Sequence, residues 1–518
     1  WTLASIPRNE PGVYDMLCRG DSIGVFQVES RAQIGVLPRL RPRCFYDLAV
    51  EIGLIRPGPV QGGAVHPYIR RRTGAEPVTY PHPLLEPVLE RTLGIPLFQE
   101  QLMQMATTVG NCTAADADLL RRAMGSKRGV ERINSLRTKL FEGMAANGID
   151  DDTAQGIYAR IESFANFGFA ESHALSFAGL VYTSAWIKLH YPAVFLAALL
   201  RSQPMGFYSS ATLVADARRH GVVTRRPDVA RSSVGADLEL LDACCEELGS
   251  EELETGIDEC LHDHDESEIG AFDPNRDDGD HRRDTHFAVR LGLSDVSGIN
   301  IETATRIVEE RERESFASLD DLARRVDLSG EEVEALALAG AFDDLVGSRR
   351  GALWQIGQIN GVGPGQLDVQ VVTQPPLLPE PTQMELLGDD LRATGISTAD
   401  HPVRQVRDAL NRRGVVRVDR LDGVESGRRV EVAGVVTHRQ RPGTAGGVTF
   451  LNLEDETGLL NVIVTPGVWR HYRRVARASR ALVVRGILER GNEGVMSLQA
   501  DRLEALDLSV PTKSRDFR

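Results

Sequence analysis

The chain has 518 residues, enough for three or four domains of ordinary size with separate cores. Its composition, 42% hydrophobic, 26% charged and 6% aromatic, excludes a wholly disordered, collagen-like or disulfide-scaffold protein. The net charge of −15 is local: residues 237–285 hold 19 acids and 3 arginines, and the rest of the chain sums to +1. Six scattered cysteines indicate a reducing compartment, and no apolar run approaches the roughly 20 residues that span a bilayer, so a cytoplasmic protein with no membrane partner is expected. The first residue is Trp1 rather than Met, which leads us to expect a further part upstream.

Residues 1–205 carry apolar runs at helical spacing. Thr113-Ala-Ala-Asp116 has capping-box spacing and predicts a helix running to Gly125, held to a core by Leu119/Ala123 and Leu120/Met124. Arg121 and Arg122, followed by Lys127 and Arg128, place four cations within eight residues. Guanidinium forks suit triphosphate oxygens, while a solvated basic helix end is the plainer alternative. In Phe169-Ala-Glu-Ser-His-Ala-Leu-Ser-Phe177, Ser172 is predicted to cap a helix beginning near His173, leaving backbone N–H groups for an anion. A Ser–His nucleophilic pair is disfavoured, because neighbouring residues do not face each other and no carboxylate partner is indicated. Leu175–Leu189 is apolar on nearly every side, which predicts a buried helix ending before Pro192 and a second one over Ala193–Leu200.

Residues 232–285 are acidic, poor in aromatics and without period, and read as a disordered insertion. Within it Cys244, Cys245, Cys260, His262 and His264 lack zinc-site spacing, so no metal is assigned. A short strand is predicted at Phe287–Leu293. Val296-Ser-Gly-Ile-Asn-Ile-Glu-Thr-Ala-Thr-Arg-Ile-Val308 has the form of a helix-hairpin-helix, whose turn at Gly298, Ile299 and Asn300 would offer amides to a DNA phosphate. Asn300 stands where a second glycine is usual and is expected to take a left-handed φ. A second helical hairpin is predicted at Phe316–Ala341.

Residues 356–411 read as a linker with short helices, Gly/Pro/Gln-rich over 357–383. Beyond it, period-two runs begin at Arg429, Val448, Leu460 and Ala481, with a helix over Pro466–Ala478: the plan of an OB barrel. Between residues 401 and 485, 16 arginines face 8 acids, which suits a phosphate backbone or a solvated surface. Arg439 and Arg441 fall in the loop after the first run and Phe450 on the barrel face, and these three are the predicted contacts to single-stranded DNA. No Walker A loop, dinucleotide fingerprint or His-Glu-x-x-His motif is present.

Taken together, Gly24-Val-Phe-Gln-Val-Glu-Ser-Arg31, Ile55-Arg-Pro-Gly-Pro-Val60, Gly94-Ile-Pro-Leu-Phe-Gln-Glu-Gln-Leu-Met103, Ala117-Asp-Leu-Leu-Arg-Arg-Ala-Met-Gly125 and Phe167-Gly-Phe-Ala-Glu-Ser-His173 resemble the bacterial C-family DNA polymerases along almost the whole chain. Ala170-Glu-Ser-His173, Gln203–Tyr208 and the closing Ser514-Arg-Asp-Phe resemble the error-prone branch. The resemblance implies a multidomain fold: α-helical fingers at 1–205, a helical domain with helix-hairpin-helix elements at 206–355, an OB domain at 412–506 and a tail at 507–518. It implies that Arg121, Arg122, Lys127, Ser172 and His173 bind a dNTP, and that the Mg²⁺-holding palm aspartates lie upstream, so that this chain has no catalytic residue and is inactive alone. Primer-template DNA, dNTPs, mutagenesis-cassette proteins and a sliding clamp are the implied partners. The alternatives are a non-catalytic DNA-binding accessory protein or a replicative alpha subunit.

Overall fold

The computed structural model describes residues 1–56, 63–124, 129–163, 169–206, 208–241, 263–274, 281–359, 378–441, 445–490, 496–508 and 515–517. They form two compact units, one of Trp1–His190 with Glu254–His281, the other of Tyr191–Leu253 with Arg282–Arg518.

Helices build the first unit, and local capping sets where they start. The Thr113 hydroxyl accepts from the Asp116 N–H while the Asp116 carboxylate accepts from the Thr113 N–H, so the helix Ala114–Ala123 begins where the sequence pattern places it. Its Leu120 and Ala123 are buried with Leu102, Met105, Leu140 and Ile157. The helix Glu171–His190 departs from expectation in two ways. It begins at Glu171, so Ser172 lies inside the first turn and is not its cap, and the Glu171 N–H is taken by the Glu100 carboxylate at 2.9 Å. Nor is it buried all round: Ala174, Ala178, Val181, Ala185 and Trp186 face the core, but Ser172, His173, Ser176 and Leu180 are exposed. Small and polar residues interleaved with the apolar ones leave that outer face.

In the second unit Pro192 opens the helix Pro192–Arg201, where its missing N–H costs nothing. A small sheet follows, with strands β1 (Val223–Arg225), β2 (Asp237–Leu240) and β3 (Phe287–Arg290) in the order β1-β3-β2. Strand β2 corrects the reading of 232–285 as a disordered insertion for its described residues; 242–262 and 275–280 lie outside them. Charge counting missed that Glu239 has arginine partners outside the window: Arg225 at 2.7 Å, Arg231 at 3.3 Å, and Arg290. Further along, buried Asp284 accepts from the N–H groups of Ala193 and Val194 at 2.6 and 3.2 Å, which caps the Pro192–Arg201 helix. In the first unit Asp263 accepts from the Arg8 N–H at 2.9 Å and Ile269 is buried. Cys244, Cys245, Cys260 and His262 lie outside the described residues.

Helices Ile301–Arg313, Leu319–Val326, Gly330–Leu338 and Arg349–Ile359 pack around Leu293, Ile299, Ala304, Ile307, Leu322, Leu336 and Phe342, and include the second helical hairpin expected at Phe316–Ala341. The helix Gln383–Ala393 joins this core through Ala393. Its buried Asp390 pairs with Arg349 at 2.8 Å and Arg226 at 3.1 Å, so the stretch from 383 is packed structure rather than linker. Composition hides this, because the helix is anchored by one ion-pair network more than by an apolar stripe.

The barrel is β4 (Arg429–Gln440), β5 (Thr449–Glu454), β6 (Leu459–Val464), β7 (Ala481–Arg490) and β8 (Met496–Ala505). The order β5-β6-β8-β7-β4 closes through an added β4–β5 pairing, with β6 and β8 parallel and the other pairs antiparallel. Val432, Val436, Leu451, Leu453, Val462, Leu482, Val484, Leu498 and Leu503 fill it. Two corrections apply. The expected Pro466–Ala478 helix is two short helices, Pro466–His471 and Arg473–Ala478, meeting at Tyr472. The tail at 507–518 supplies β9 (Arg515–Phe517), paired in parallel with β4 at His438–Gln440.

Candidate nucleotide and nucleic-acid interface

The exposed face of the Glu171–His190 helix carries a ladder of rings. Phe169, His173 and Phe177 are spaced by four, so they stack along one side: Phe169 and His173 have centroids 5.4 Å apart, His173 and Phe177 4.1 Å. Phe26, itself 38% exposed, meets Phe177 edge-on at 5.3 Å, and the Arg56 guanidinium lies 4.1 Å from the Phe169 ring centre at the other end. Rings and a cation in a row, with His173 and Phe26 exposed and Phe169, Phe177 and Arg56 half-buried, offer a surface on which flat aromatic groups can stack. Beneath it Glu171 is fixed by the Tyr46 hydroxyl at 2.7 Å and by Arg91 at 3.6 Å, and Arg91 also lies 3.8 Å from the Tyr46 ring centre. Burial, aided by the bond to Glu171, pushes the Tyr46 phenol up, which keeps it a neutral donor. Sequence reading picked out Ser172 and His173 but missed Phe26, Arg56 and the ladder; the i, i+4, i+8 spacing of ring-bearing residues was the available signal.

Arg121 and Arg122 are exposed in the last turn of their helix, but both are engaged by one acid a turn earlier. Asp118 takes Arg121 at 2.8 Å and Arg122 at 2.9 Å, and Arg121 holds its carboxyl below the usual carboxylate range. The sequence reading treated the two as open cations, although Asp118 stands three and four residues before them. Lys127 lies outside the described residues.

The hairpin turn is formed, but its surroundings argue against phosphate. Gly298 takes the left-handed conformation (φ +97), whereas Asn300 is extended and caps the Ile301–Arg313 helix, its side chain accepting from the Thr303 N–H at 2.8 Å. That corrects the left-handed φ expected at Asn300. Ile299 is buried. The turn borders a groove of about 520 Å³ lined by Ser297, Gly298, Ser329, Glu331, Glu332 and Glu334. Three carboxylates beside those amides repel a phosphate at short range.

On the barrel, Arg439 is a strand residue and not a loop cation. It is 7% exposed, and its guanidinium donates to the carbonyls of Ala476 (2.9 Å) and Ser479, closing the end of the Arg473–Ala478 helix. This corrects its assignment to DNA. Arg441 is exposed, its guanidinium 6.0 Å from the Trp469 ring centre, and Phe450 is half-buried opposite Gln440 and Ile463. The stronger basic feature is next door. Arg470, Arg473, Arg474, Arg477 and Arg480 are all exposed along the two short helices and just after them, and none has an ion pair among the described residues. Charge counting had located the arginine surplus in this part of the chain but not on this face.

The resemblance to polymerases implies two Mg²⁺ ions held by paired carboxylates. The carboxylates touching the arginine pair and the ladder do not fit that group: Asp118 is tied to arginines, Glu171 to Tyr46 and Arg91, and Glu100 to a backbone amide. No helix among the described residues is long and apolar enough to cross a membrane.

Residues 1–148 match the bacterial DNA polymerase III alpha subunit finger domain, residues 221–352 a helix-hairpin-helix motif, and residues 430–506 an OB-fold nucleic acid binding domain. An error-prone DNA polymerase of Cutibacterium acnes is 98% identical over all 518 residues of this chain, which cover 46% of that protein. Error-prone DNA polymerases of Mycolicibacterium paratuberculosis and Mycobacterium tuberculosis are each 50% identical over 519 aligned residues, covering all of this chain and 43% of theirs. The chain spans under half the length of the curated relatives it matches.

Proposed function

The chain belongs to the bacterial C-family DNA polymerases, and from that premise we propose that it serves an error-prone DNA-directed DNA polymerase, a nucleotidyltransferase of damage-induced mutagenesis and translesion synthesis. In this role the finger unit presents a base-stacking and triphosphate-binding surface, and the barrel holds the single strand by charge. The observation that carries the reading is the ladder Arg56–Phe169–His173–Phe177–Phe26, because a row of rings beside a cation, with His173 and Phe26 exposed, suits a base. Arg121 and Arg122 are assigned to the dNTP phosphates, with Lys127 and the first-turn amides at Ser172 and His173 assisting. Primer-template DNA is the substrate, Mg²⁺ acts through carboxylates outside this chain, and the whole operates in the cytoplasm. A sliding clamp and mutagenesis-cassette proteins are partners that only the family resemblance supports.

The test is steady-state incorporation opposite a defined template by the full-length protein. Phe177→Ala and His173→Ala are expected to raise KM for dNTP, each lost stacking contact costing about 1–3 kcal/mol, while primer-template affinity holds. Unchanged dNTP kinetics in both would overturn the assignment. The 518-residue chain by itself is expected to incorporate no nucleotide with Mg²⁺, and incorporation above a no-enzyme control would place the active site inside it.

A further inference from the structure

A buried cluster in the first unit has no part in the ladder or the arginine pair. Glu10, at 2% exposure, precedes the helix Pro11–Cys18; His190, fully buried, ends the helix Glu171–His190; His281 closes the Glu254–His281 stretch of the same unit. His190 Nε2 is 2.7 Å from one Glu10 carboxylate oxygen, and His281 Nδ1 is 3.3 Å from the other. The three residues offer ligand atoms all within 4.8 Å of one another.

Several details make this more than an ion pair. His190 Nδ1 is 2.9 Å from the His281 backbone carbonyl. A carbonyl only accepts, so Nδ1 donates to it and the ring is held with Nε2 aimed at the carboxylate, the orientation that outer hydrogen bonds impose on metal-bound histidines. The second imidazole is delivered by a close approach at Gly12, where a Cβ would fall 2.8 Å from His281 Cε1 and Nε2. Trp186 packs on the His190 ring with centroids 4.6 Å apart, keeping water from that side, while His281 retains partial exposure that leaves a direction for entry.

We propose that Glu10, His190 and His281 form a site for a zinc-class divalent cation, which fastens the segment around His281 to the start of the Pro11–Cys18 helix. Two imidazoles and one carboxylate are a donor set that zinc accepts, with a fourth position left for water. Bonds of about 2.0–2.2 Å in tetrahedral array separate ligand atoms by roughly 3.3–3.5 Å. The His281–Glu10 separation already meets this, and the His190–Glu10 contact would open by about half an ångström. The site is distinct from Cys244, Cys245, Cys260 and His262, none of which it uses.

The test is metal titration of the 518-residue chain after chelation and dialysis, with Zn²⁺ read by competition against a chromogenic chelator and Co²⁺ by its visible d–d bands. A C244S/C245S/C260S background removes the competing thiols. The expected result is one equivalent bound in that background, a Co²⁺ spectrum of nitrogen and oxygen ligation, and a Tm that rises with metal and falls with EDTA. His281→Ala is the first variant because its ring is partly exposed, and Glu10→Gln the second, with circular dichroism confirming the fold of each. Each should weaken binding by more than the about 10–100-fold that loss of an outer hydrogen-bond partner costs, and the Tm response to metal should vanish. Stoichiometry that follows the cysteines and ignores both variants, or a Tm indifferent to metal and EDTA, would overturn the proposal and leave a hydrogen-bonded His–Glu cluster.

Discussion

Two basic features of this chain, the arginine pair of the first unit and the two short helices of the barrel, treat charge in opposite ways. In the finger unit exposed Arg121 and Arg122 share Asp118, while buried Glu51 has no hydrogen bond to either carboxylate oxygen among the described residues. In the second unit buried Asp390 pairs with Arg349 and buried Asp455 with Arg407 at 3.1 Å, while exposed Arg473, Arg474 and Arg477 have no ion pair among the described residues. A paired arginine is held in place and must exchange one partner for another when a ligand arrives. An unpaired one contributes through its field, at long range and under control of salt. The first arrangement suits a defined anion and the second any polyanion.

The sharpest way to break that contrast is to empty the barrel face. Replacing Arg470, Arg473, Arg474 and Arg477 together by Ala should weaken single-stranded DNA binding at low salt by at least about a hundredfold. It should also flatten the slope of log K against log salt by about 2.8, at about 0.7 per phosphate contact. Fluorescence anisotropy across a salt series reads both. Arg439→Ala, which removes donors to Ala476 and Ser479, should lower Tm and leave the slope unchanged. A slope that follows Arg439 and not the four exposed arginines would restore the loop reading of the sequence.

In the fingers the corresponding substitutions act on one small anion. Within the full-length protein, Arg121→Ala and Arg122→Ala should each reduce kcat/KM for dNTP by about ten- to a hundredfold, the loss of a charged hydrogen bond worth about 1.5–3 kcal/mol. Their effect on DNA affinity should change little with salt. A salt-dependent loss of DNA binding, with dNTP kinetics intact, would show that these arginines behave like those of the barrel.

Glu51 tests the buried half of the comparison. Burial alone pushes its carboxyl up to about 8, against about 4.5 unfolded. Its folded pKa is the higher, so the folded state binds more protons across that interval. Stability is fully present below about pH 4.5 and is lost as pH rises through 8, by about 1.4 kcal/mol for each unit in between. Calorimetry at pH 5, 6.5 and 8 should show Tm falling in the wild type and falling less in Glu51→Gln. Parallel pH profiles would mean that Glu51 finds a partner in solution.

How much of this was legible beforehand depended on whether a feature was local. The capping box at Thr113, the strands of the barrel and the hairpin turn at Gly298 are set by neighbours within a few residues, and the sequence reading placed them. What it missed joins distant residues: Glu239 with Arg225 and Arg290, Asp390 with Arg349 and Arg226, and the tail strand at Arg515–Phe517 beside β4. Composition marked 232–285 as unable to fold because it counted acids without their arginines. Among site residues, Arg439 was read as a loop cation because the first barrel strand runs to Gln440, longer than the apolar alternation that announced it. The ring ladder was visible as spacing, yet an exposed face on a helix so rich in apolar residues was not anticipated.

The smallest expected effect is also the one that decides what pairing does in the fingers. If Asp118 competes with a triphosphate for Arg121 and Arg122, then Asp118→Asn keeps the side-chain shape, removes the negative charge and leaves both guanidinium groups available. Ion pairs at a solvent-exposed helix surface are weak, and Asp118 is such a case. The gain is therefore modest, with KM for dNTP falling by about two- to fivefold and kcat unchanged, because binding in the ground state and the transition state improves equally. The same variant should leave single-stranded DNA affinity and its salt slope alone. If KM rises instead, Asp118 positions the two arginines, and their pairing is preorganisation for the anion rather than competition with it.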